Sequence, residues 1–309
     1  MSEESSKHIF VVTDIPGKHQ GIIASEDISR GALVLAEAPL IIQPGHRTNK
    51  SIATALQSVS KEDQRAYLSL WSSKSKEDSD GVFKDIFDNN CFQLGEEPRG
   101  GIFLTGSRFN HSCSPNVHRH WHAPSGKLRF YAIFDIKAGD ELCIAYFNIE
   151  NVTSEERQAR FRKHFGCDCQ CDICTLPANE LQKSDARREA KAELDSVILS
   201  SYAAPRRAMQ AILRILAGLK LDRVEEGITD VHYLAFQVCV AAADAQSAKI
   251  WAQRFLDSRV LMCGSEYDTR ECTKLSSFIE DPRSHQAWGW GTRANLLNLT
   301  QSWQDSDSE

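Results

Sequence analysis

Four cysteines stand within eight residues in the run Cys167-Asp-Cys169-Gln-Cys171-Asp-Ile-Cys174. Thiols packed this densely are an oxidation hazard when bare, whereas a tetrahedral zinc ion takes them as soft thiolate ligands at about 2.3 Å. The Cys-x-Cys-x-x-Cys spacing of Cys169, Cys171 and Cys174 supplies three ligands. The fourth is either Cys167 next door or Cys113, 56 residues before Cys169. The other cysteines (Cys91, Cys143, Cys239, Cys263 and Cys272) are scattered, and Met1 to Lys7 is too polar for a secretory leader. The cysteines therefore read as thiols and metal ligands of a protein of the cytoplasm or nucleus, not as a disulfide framework.

Charge narrows the function further. A net charge of −6 and a pI of about 6.0 argue against binding to nucleic acid through phosphate neutralisation. The longest apolar stretch, Ala32 to Ile42, is broken by Glu37 and Pro39, well short of the ~18–20 apolar residues of a membrane span. A monomer without membrane or direct nucleic-acid contacts is expected.

Along the chain, Ile9 to Ile42 reads as short β runs parted by glycines, which predicts a meander. Ser60 and Asp63 predict a helix start, with Tyr67, Leu68 and Trp71 following at helical spacing and a polar loop from Lys74 to Gly81. Residues 44–100 are expected to form a helical insertion between two β portions, 8–43 and 101–150. Lys127 to Ile136 and Glu141 to Tyr146 are expected to form a hairpin turned at Lys137-Ala-Gly139-Asp140. Thr153 and Glu156 form a capping box for a helix to about His164, within a segment, 151–176, that ends on the cysteine cluster.

From 177 to 309 the pattern is helical. Met209, Ile212, Leu213 and Leu216 share one face, as do Val231, Leu234, Ala235 and Val238, and Ala248, Trp251, Ala252 and Phe255. The last two of these helices, parted near Asp244, resemble one tetratricopeptide-type hairpin with no second clear copy. The acidic tail from Asp305 to Glu309 is expected to be disordered.

Two further segments carry chemistry. Asn110-His111-Ser112-Cys113-Ser114-Pro115-Asn116 offers amide, imidazole and backbone carbonyl groups in a tight space, which suits a polar cofactor but equally a closed polar turn. Gly139-Asp140-Glu141 is followed, after four residues, by Tyr146, a position where a tyrosine either caps a core or presents its hydroxyl.

Taken in order with the cysteine cluster, these segments resemble the SET-domain protein-lysine methyltransferases. Gly17-Lys18-His19-Gln20-Gly21-Ile-Ile-Ala24 is similar to the family's opening glycine-rich segment. The resemblance spans Phe10 to Cys174 and is nearest to the SET-and-MYND type and the related fungal SET proteins. It implies an α+β fold, a SET β-fold of short sheets with a threaded C-terminal segment and a post-SET zinc site, followed by an all-helical C-terminal domain. It implies S-adenosylmethionine as cofactor, bound by Lys18, Gln20, Gly21, Arg108, Phe109, Asn110 and His111, with Phe165 offering a ring beside the site. Tyr146 corresponds to the catalytic tyrosine. Cys113 joins Cys169, Cys171 and Cys174 on one structural zinc that clamps the C-terminal segment over the active site. The substrate implied is a lysine in a histone or other protein.

The chain also departs from the family pattern. His19 stands where a second glycine is usual, and Cys167 where a phenylalanine is common. The insertion holds only Cys91 and His46 where the MYND module needs seven or eight Cys and His ligands, so no MYND module is expected. A degenerate SET module that binds without turnover is the alternative, favoured by His19 and Cys167 and opposed by Tyr146 and the Asn110-His111 pair. Methylation of a different nucleophile is a third reading.

Overall fold

The computed structural model describes residues 9–74, 81–192, 203–266 and 270–305. Most of the polar loop from Lys74 to Gly81, the segment Met1 to Lys7 and the tail beyond Asp305 lie outside these residues. The strands are β1 (Phe10–Ile15), β2 (His19–Ala24), β3 (Leu33–Glu37), β4 (Ile41–Pro44), β5 (Phe92–Gln93), β6 (Arg99–Ile102), β7 (Asn110–His111), β8 (Val117–His122), β9 (Lys127–Ala132) and β10 (Cys143–Ile144). The helices are α1 (Asn49–Leu56), α2 (Lys61–Leu68), α3 (Val82–Asn90), α4 (Ser154–Phe165), α5 (Ala178–Ala192), α6 (Pro205–Leu221), α7 (Glu225–Ala241), α8 (Ala245–Cys263), α9 (Arg270–Glu280) and α10 (Leu297–Asp305). The chain divides into two compact units: Met1–Ile144 with Gln158–Cys169, and Ala145–Arg157 with Gln170–Glu309. No helix among the described residues is long and apolar enough to cross a membrane.

The first unit carries small sheets. β1 and β2 form an antiparallel hairpin in which Ile15 pairs with His19. His19 holds φ at +59°, a left-handed backbone that costs a non-glycine residue ~1–2 kcal/mol and that a glycine adopts freely. This is the physical demand behind the glycine usual there. The expected meander does not form. β3 pairs with β9, and β4 with β6, so β3 and β4, though adjacent in sequence, go to different sheets, ordered β3-β9-β8 and β4-β6-β5.

The expected hairpin between Lys127–Ile136 and Glu141–Tyr146 is also corrected. The turn is there, with Asp140 N donating to the Lys137 carbonyl at 3.0 Å and Gly139 at φ +94°. But β9 is the central strand of its sheet, with both edges taken by β3 and β8, and so has no edge left for a returning strand. β10 pairs instead with β7, in parallel. Helices α1 to α3 bury Ile52, Leu56, Tyr67, Ile86 and Phe87 in a core they share with Ile41 of β4 and Ile102 of β6. Ser60 caps α2 as its spacing predicts, accepting from Asp63 N at 3.0 Å.

In the second unit the three apolar faces read from the sequence supply the core residues Met209, Ile212 and Leu216, then Val231, Leu234, Ala235 and Val238, then Ala248, Trp251, Ala252 and Phe255, while Leu213 packs at the margin. Asp244 starts α8 by accepting from Ser247 N at 3.2 Å, and also accepts from Leu296 N at 2.6 Å. The buried Trp251 indole donates to Thr300 at 3.0 Å. At the head of α4 the capping box closes in both directions, Thr153 N to Glu156 at 3.0 Å and Glu156 N to the Thr153 hydroxyl at 3.3 Å.

His232 of α7 is buried, and its Nδ1 lies 3.1 Å from the Ser258 hydroxyl. Burial, with a smaller push from Arg254, brings its pKa down to about 3. A histidine held below its unfolded value near 6.5 stays neutral in the fold, so stability falls as pH drops through 6.5 and levels off below the folded value. At pH 5 this site is expected to remove about 2 kcal/mol relative to pH 7. Urea unfolding of wild type and His232→Gln should show a shallower acid limb in the variant; identical pH dependence would contradict the assignment.

Candidate functional site

The site is built where β2, β7 and β10 meet. A short helical turn, Gly106–Arg108, leads into β7, and Phe109 between them stacks on Phe130 with ring centroids 4.5 Å apart. Phe109 is therefore a core residue that fixes the strand from behind. Arg108 reaches away and donates to the Ser69 hydroxyl at 2.6 Å. Asn110 and His111 pair in parallel with Cys143 and Ile144, and the ladder continues with Ser112 N to the Ile144 carbonyl at 3.0 Å.

Asn116, the last residue of the Asn-His segment, clamps this pairing with its side chain. Its amide donates to the Glu141 carbonyl at 2.9 Å and accepts from Cys143 N at 2.8 Å. Glu141 bridges to Ile23 of β2, and Leu142 N donates to the Ile22 carbonyl at 2.8 Å. The Glu141 carboxylate then accepts from Lys18 Nζ at 2.7 Å and from Asn110 Nδ2 at 2.8 Å. Asn110 Nδ2 also lies 3.3 Å from the Gln20 carbonyl. Gly21 makes this closeness attainable: a Cβ there would sit 2.6 Å from Asn110 Nδ2 and 3.2 Å from Glu141 Oε1. Burial works to lower the Lys18 pKa, but the hydrogen bond and charge of Glu141 outweigh it, so the net shift is upward. Lys18 is thus a fixed cation beside a carboxylate and an amide.

An aromatic chain runs on from His111. Its ring lies 5.3 Å from that of Phe161, Phe161 lies 4.8 Å from Phe165, and Phe165 meets Trp71 edge-on at 5.3 Å. Phe161 and Phe165 are four residues apart on α4 and so share a face. Tyr146 is half-buried and follows Ile144 of β10 by two residues, which places its Cα within ~7 Å of that strand by chain length alone.

Cys113, Cys169, Cys171 and Cys174 bring their sulfurs within 4.8 Å of one another, three of the residues being buried and Cys174 half-buried. Cys167 is exposed and outside the group. The donor set fits zinc: four sulfurs at about 2.3 Å in a tetrahedron stand ~3.8 Å apart, inside the observed spread, and an all-thiolate shell is a structural zinc set. Gln158 on α4 orients Cys169, accepting from its N–H at 2.8 Å and donating to its carbonyl at 3.0 Å. His111 Nε2 lies 3.3 Å from Cys113 Sγ, so the polar junction and the cysteine cluster share a direct contact.

Sequence reasoning quoted Asn116 and Glu141 within their motifs without giving either a role, and it did not raise Phe161. Glu141 and Asn116 sit among turn-type residues and look like ordinary loop polarity; only the i, i+4 spacing of Phe161 and Phe165 could have raised Phe161.

Residues 19–147 match the SET domain family. The chain is 34% identical over 305 residues to the histone-lysine N-methyltransferase set5 of Schizosaccharomyces pombe, covering 97% of this chain and 92% of that protein. It is 42% identical over 81 residues to the histone-lysine N-methyltransferase SET5 of Meyerozyma guilliermondii, 26% of this chain and 17% of that protein. With the protein-lysine N-trimethyltransferase SMYD5 of Gallus gallus it shares 30% identity over 123 residues, 39% of this chain and 29% of that protein.

Elemental analysis of purified protein is expected to give close to one zinc per chain. Cys113→Ser should carry less than half of that and melt roughly 5–10 °C lower, the shift that losing a few kcal/mol produces in a protein of this size. A metal-free wild type, or a variant with its full load, would contradict the assignment.

Proposed function

The chain belongs to the SET-domain family of protein-lysine N-methyltransferases, and we propose that it transfers a methyl group from S-adenosylmethionine to the side-chain amine of a lysine in a protein substrate, a histone foremost. The histone reading rests on the fission-yeast relative, which is named a histone-lysine N-methyltransferase and aligns over almost its whole length.

The observation that carries the cofactor reading is the mixed-charge junction of Lys18, Glu141 and Asn110. The amino-acid end of S-adenosylmethionine bears one ammonium and one carboxylate. Lys18 and the Asn110 amide are the donors for the carboxylate; Glu141 and the Gln20 carbonyl are the acceptors for the ammonium. Gly21 keeps the approach open, and His111, Phe161 and Phe165 offer ring faces to the purine. Arg108 and Phe109 act at one remove, by fixing the strand that carries Asn110 and His111. Cys113, Cys169, Cys171 and Cys174 hold one zinc ion, whose four thiolates leave no open position for chemistry.

When bound, S-adenosylmethionine supplies a methyl group already activated by a positively charged sulfur. The chain's task is to deliver a neutral amine in line with it. A free lysine titrates near ~10.4, and both an apolar channel and a neighbouring positive charge favour its neutral form. Tyr146 acts at that amine: its phenol oxygen accepts an amine N–H and so aims the nitrogen lone pair along the line of transfer.

Tyr146→Phe is expected to lower kcat at least ~100-fold, about 2.7 kcal/mol, while S-adenosylmethionine affinity by calorimetry stays within about two-fold. Equal methyl transfer by the two proteins in a tritium assay would remove Tyr146 from the reaction. Glu141→Gln should weaken S-adenosylmethionine binding roughly ten-fold, about 1.4 kcal/mol; an unchanged affinity would take the junction out of the cofactor site.

A further inference from the structure

The residues that follow Tyr146 have no regular secondary structure up to Ser154, where α4 begins. Polar groups of this segment find side-chain partners instead, on the first turn of α4 and on one stripe of α5. Arg188, fully buried, donates from Nη1 to the Ile149 carbonyl. Lys191, one turn further along α5, pairs with Glu150, and both side chains are at most one-tenth exposed. Asp185, one turn earlier, accepts from Ser154 N at 2.7 Å and from its hydroxyl at 2.5 Å. Asp185, Arg188 and Lys191 recur every three residues and so lie along one side of the helix. Arg157, also fully buried, donates to the Val152 carbonyl at 2.7 Å and lies 3.6 Å from Asp185.

The stripe is itself braced. Arg188 Nε stands 3.7 Å from the carboxylate of Asp222, which is buried and accepts from Arg187 at 2.5 Å and from Ser184 at 3.1 Å. Burying this many charges is a poor way to gain stability, because desolvation offsets most of the attraction and apolar side chains of the same volume would do as well. What the network supplies is position. Directed bonds to the Ile149 and Val152 carbonyls and to Glu150 and Ser154 leave the segment a single register, where an apolar contact would tolerate sliding. Tyr146 lies three residues before Ile149, in the same compact unit as α5.

We propose that Arg188, with Asp185 and Lys191, positions Tyr146, so that the helical region tunes methyl transfer by fixing the segment that carries the tyrosine. This rests on the reading of Tyr146 as the residue at the amine. These are positioning residues; none is assigned a contact with substrate or cofactor.

The test compares full-length wild type, Arg188→Met, Arg188→Lys and, as a control, Tyr146→Phe. In Arg188→Met, amide hydrogen exchange over residues 146–152 should quicken at least ten-fold while the buried amides of α6 to α8 keep their protection. Its kcat should fall at least ten-fold, measured well below its melting temperature, with calorimetric S-adenosylmethionine affinity within two-fold of wild type. Arg188→Lys keeps a cationic donor for the Ile149 carbonyl and should recover at least half of both the turnover and the protection. A general loss of structure would instead quicken exchange everywhere and would not be rescued by lysine. If Arg188→Met does not fold, Lys191→Met at the end of the stripe reads the same quantities.

Wild-type exchange at 146–152 in the folded methionine variant overturns the proposal, and so does full turnover despite quickened exchange. A wild type without turnover, or a fully active Tyr146→Phe, sinks the role of Tyr146 instead; the exchange data still decide whether the stripe fixes the segment.

Discussion

Glu141 is the point on which the first unit's polar architecture turns. Its backbone bridges to β2, its carbonyl takes the Asn116 amide, and its carboxylate takes both Lys18 and Asn110. One residue therefore ties the opening hairpin, the Asn-His strand and the strand leading to Tyr146. Charge-assisted hydrogen bonds of this kind are about twice as strong as neutral ones, and two segments converging on the side chain while others hold the backbone make its position over-determined. The β7–β10 ladder is only two residues long on each strand and could not hold that register unaided.

Apolar and polar contacts divide the work in both units. The helical core around Trp251, Phe255 and Leu216 supplies bulk stability, each large side chain contributing on the order of 3–5 kcal/mol against truncation. Such a core tolerates repacking so long as volume is kept. The polar clusters tolerate little: the Glu141 junction, the four cysteines and the stripe on α5 each fix where a particular backbone atom stands. The residues proposed to carry the chemistry lie in or next to these clusters.

Much of this was readable before any coordinates. Helix faces follow from the 3.6-residue period and helix starts from capping residues, so the buried stripes of α6 to α8 and the caps at Ser60 and Thr153 emerge from local sequence alone. The cysteine spacing points to thiols that could hold a metal, three of them found together with Cys113, and the order of motifs points to the family. Strand partners were another matter. A period of two tells which face of a strand is buried but not which strand lies beside it, so the meander from Ile9 to Ile42 and the hairpin ending at Tyr146 were both misread. Nothing in a Gly-Asp-Glu turn reveals that the glutamate will be a hub. Asp185, Arg188 and Lys191 look like the solvated charges of an amphipathic helix until the segment after Tyr146 is seen lying on them.

A structure of the protein crystallised with S-adenosylhomocysteine tests the central claim most directly. The account predicts the ligand's ammonium within hydrogen-bond distance, about 3 Å, of Glu141 or the Gln20 carbonyl, and its carboxylate at the same distance from Lys18 or Asn110. A ligand bound elsewhere, with Glu141 still engaged only by Lys18 and Asn110, would contradict it.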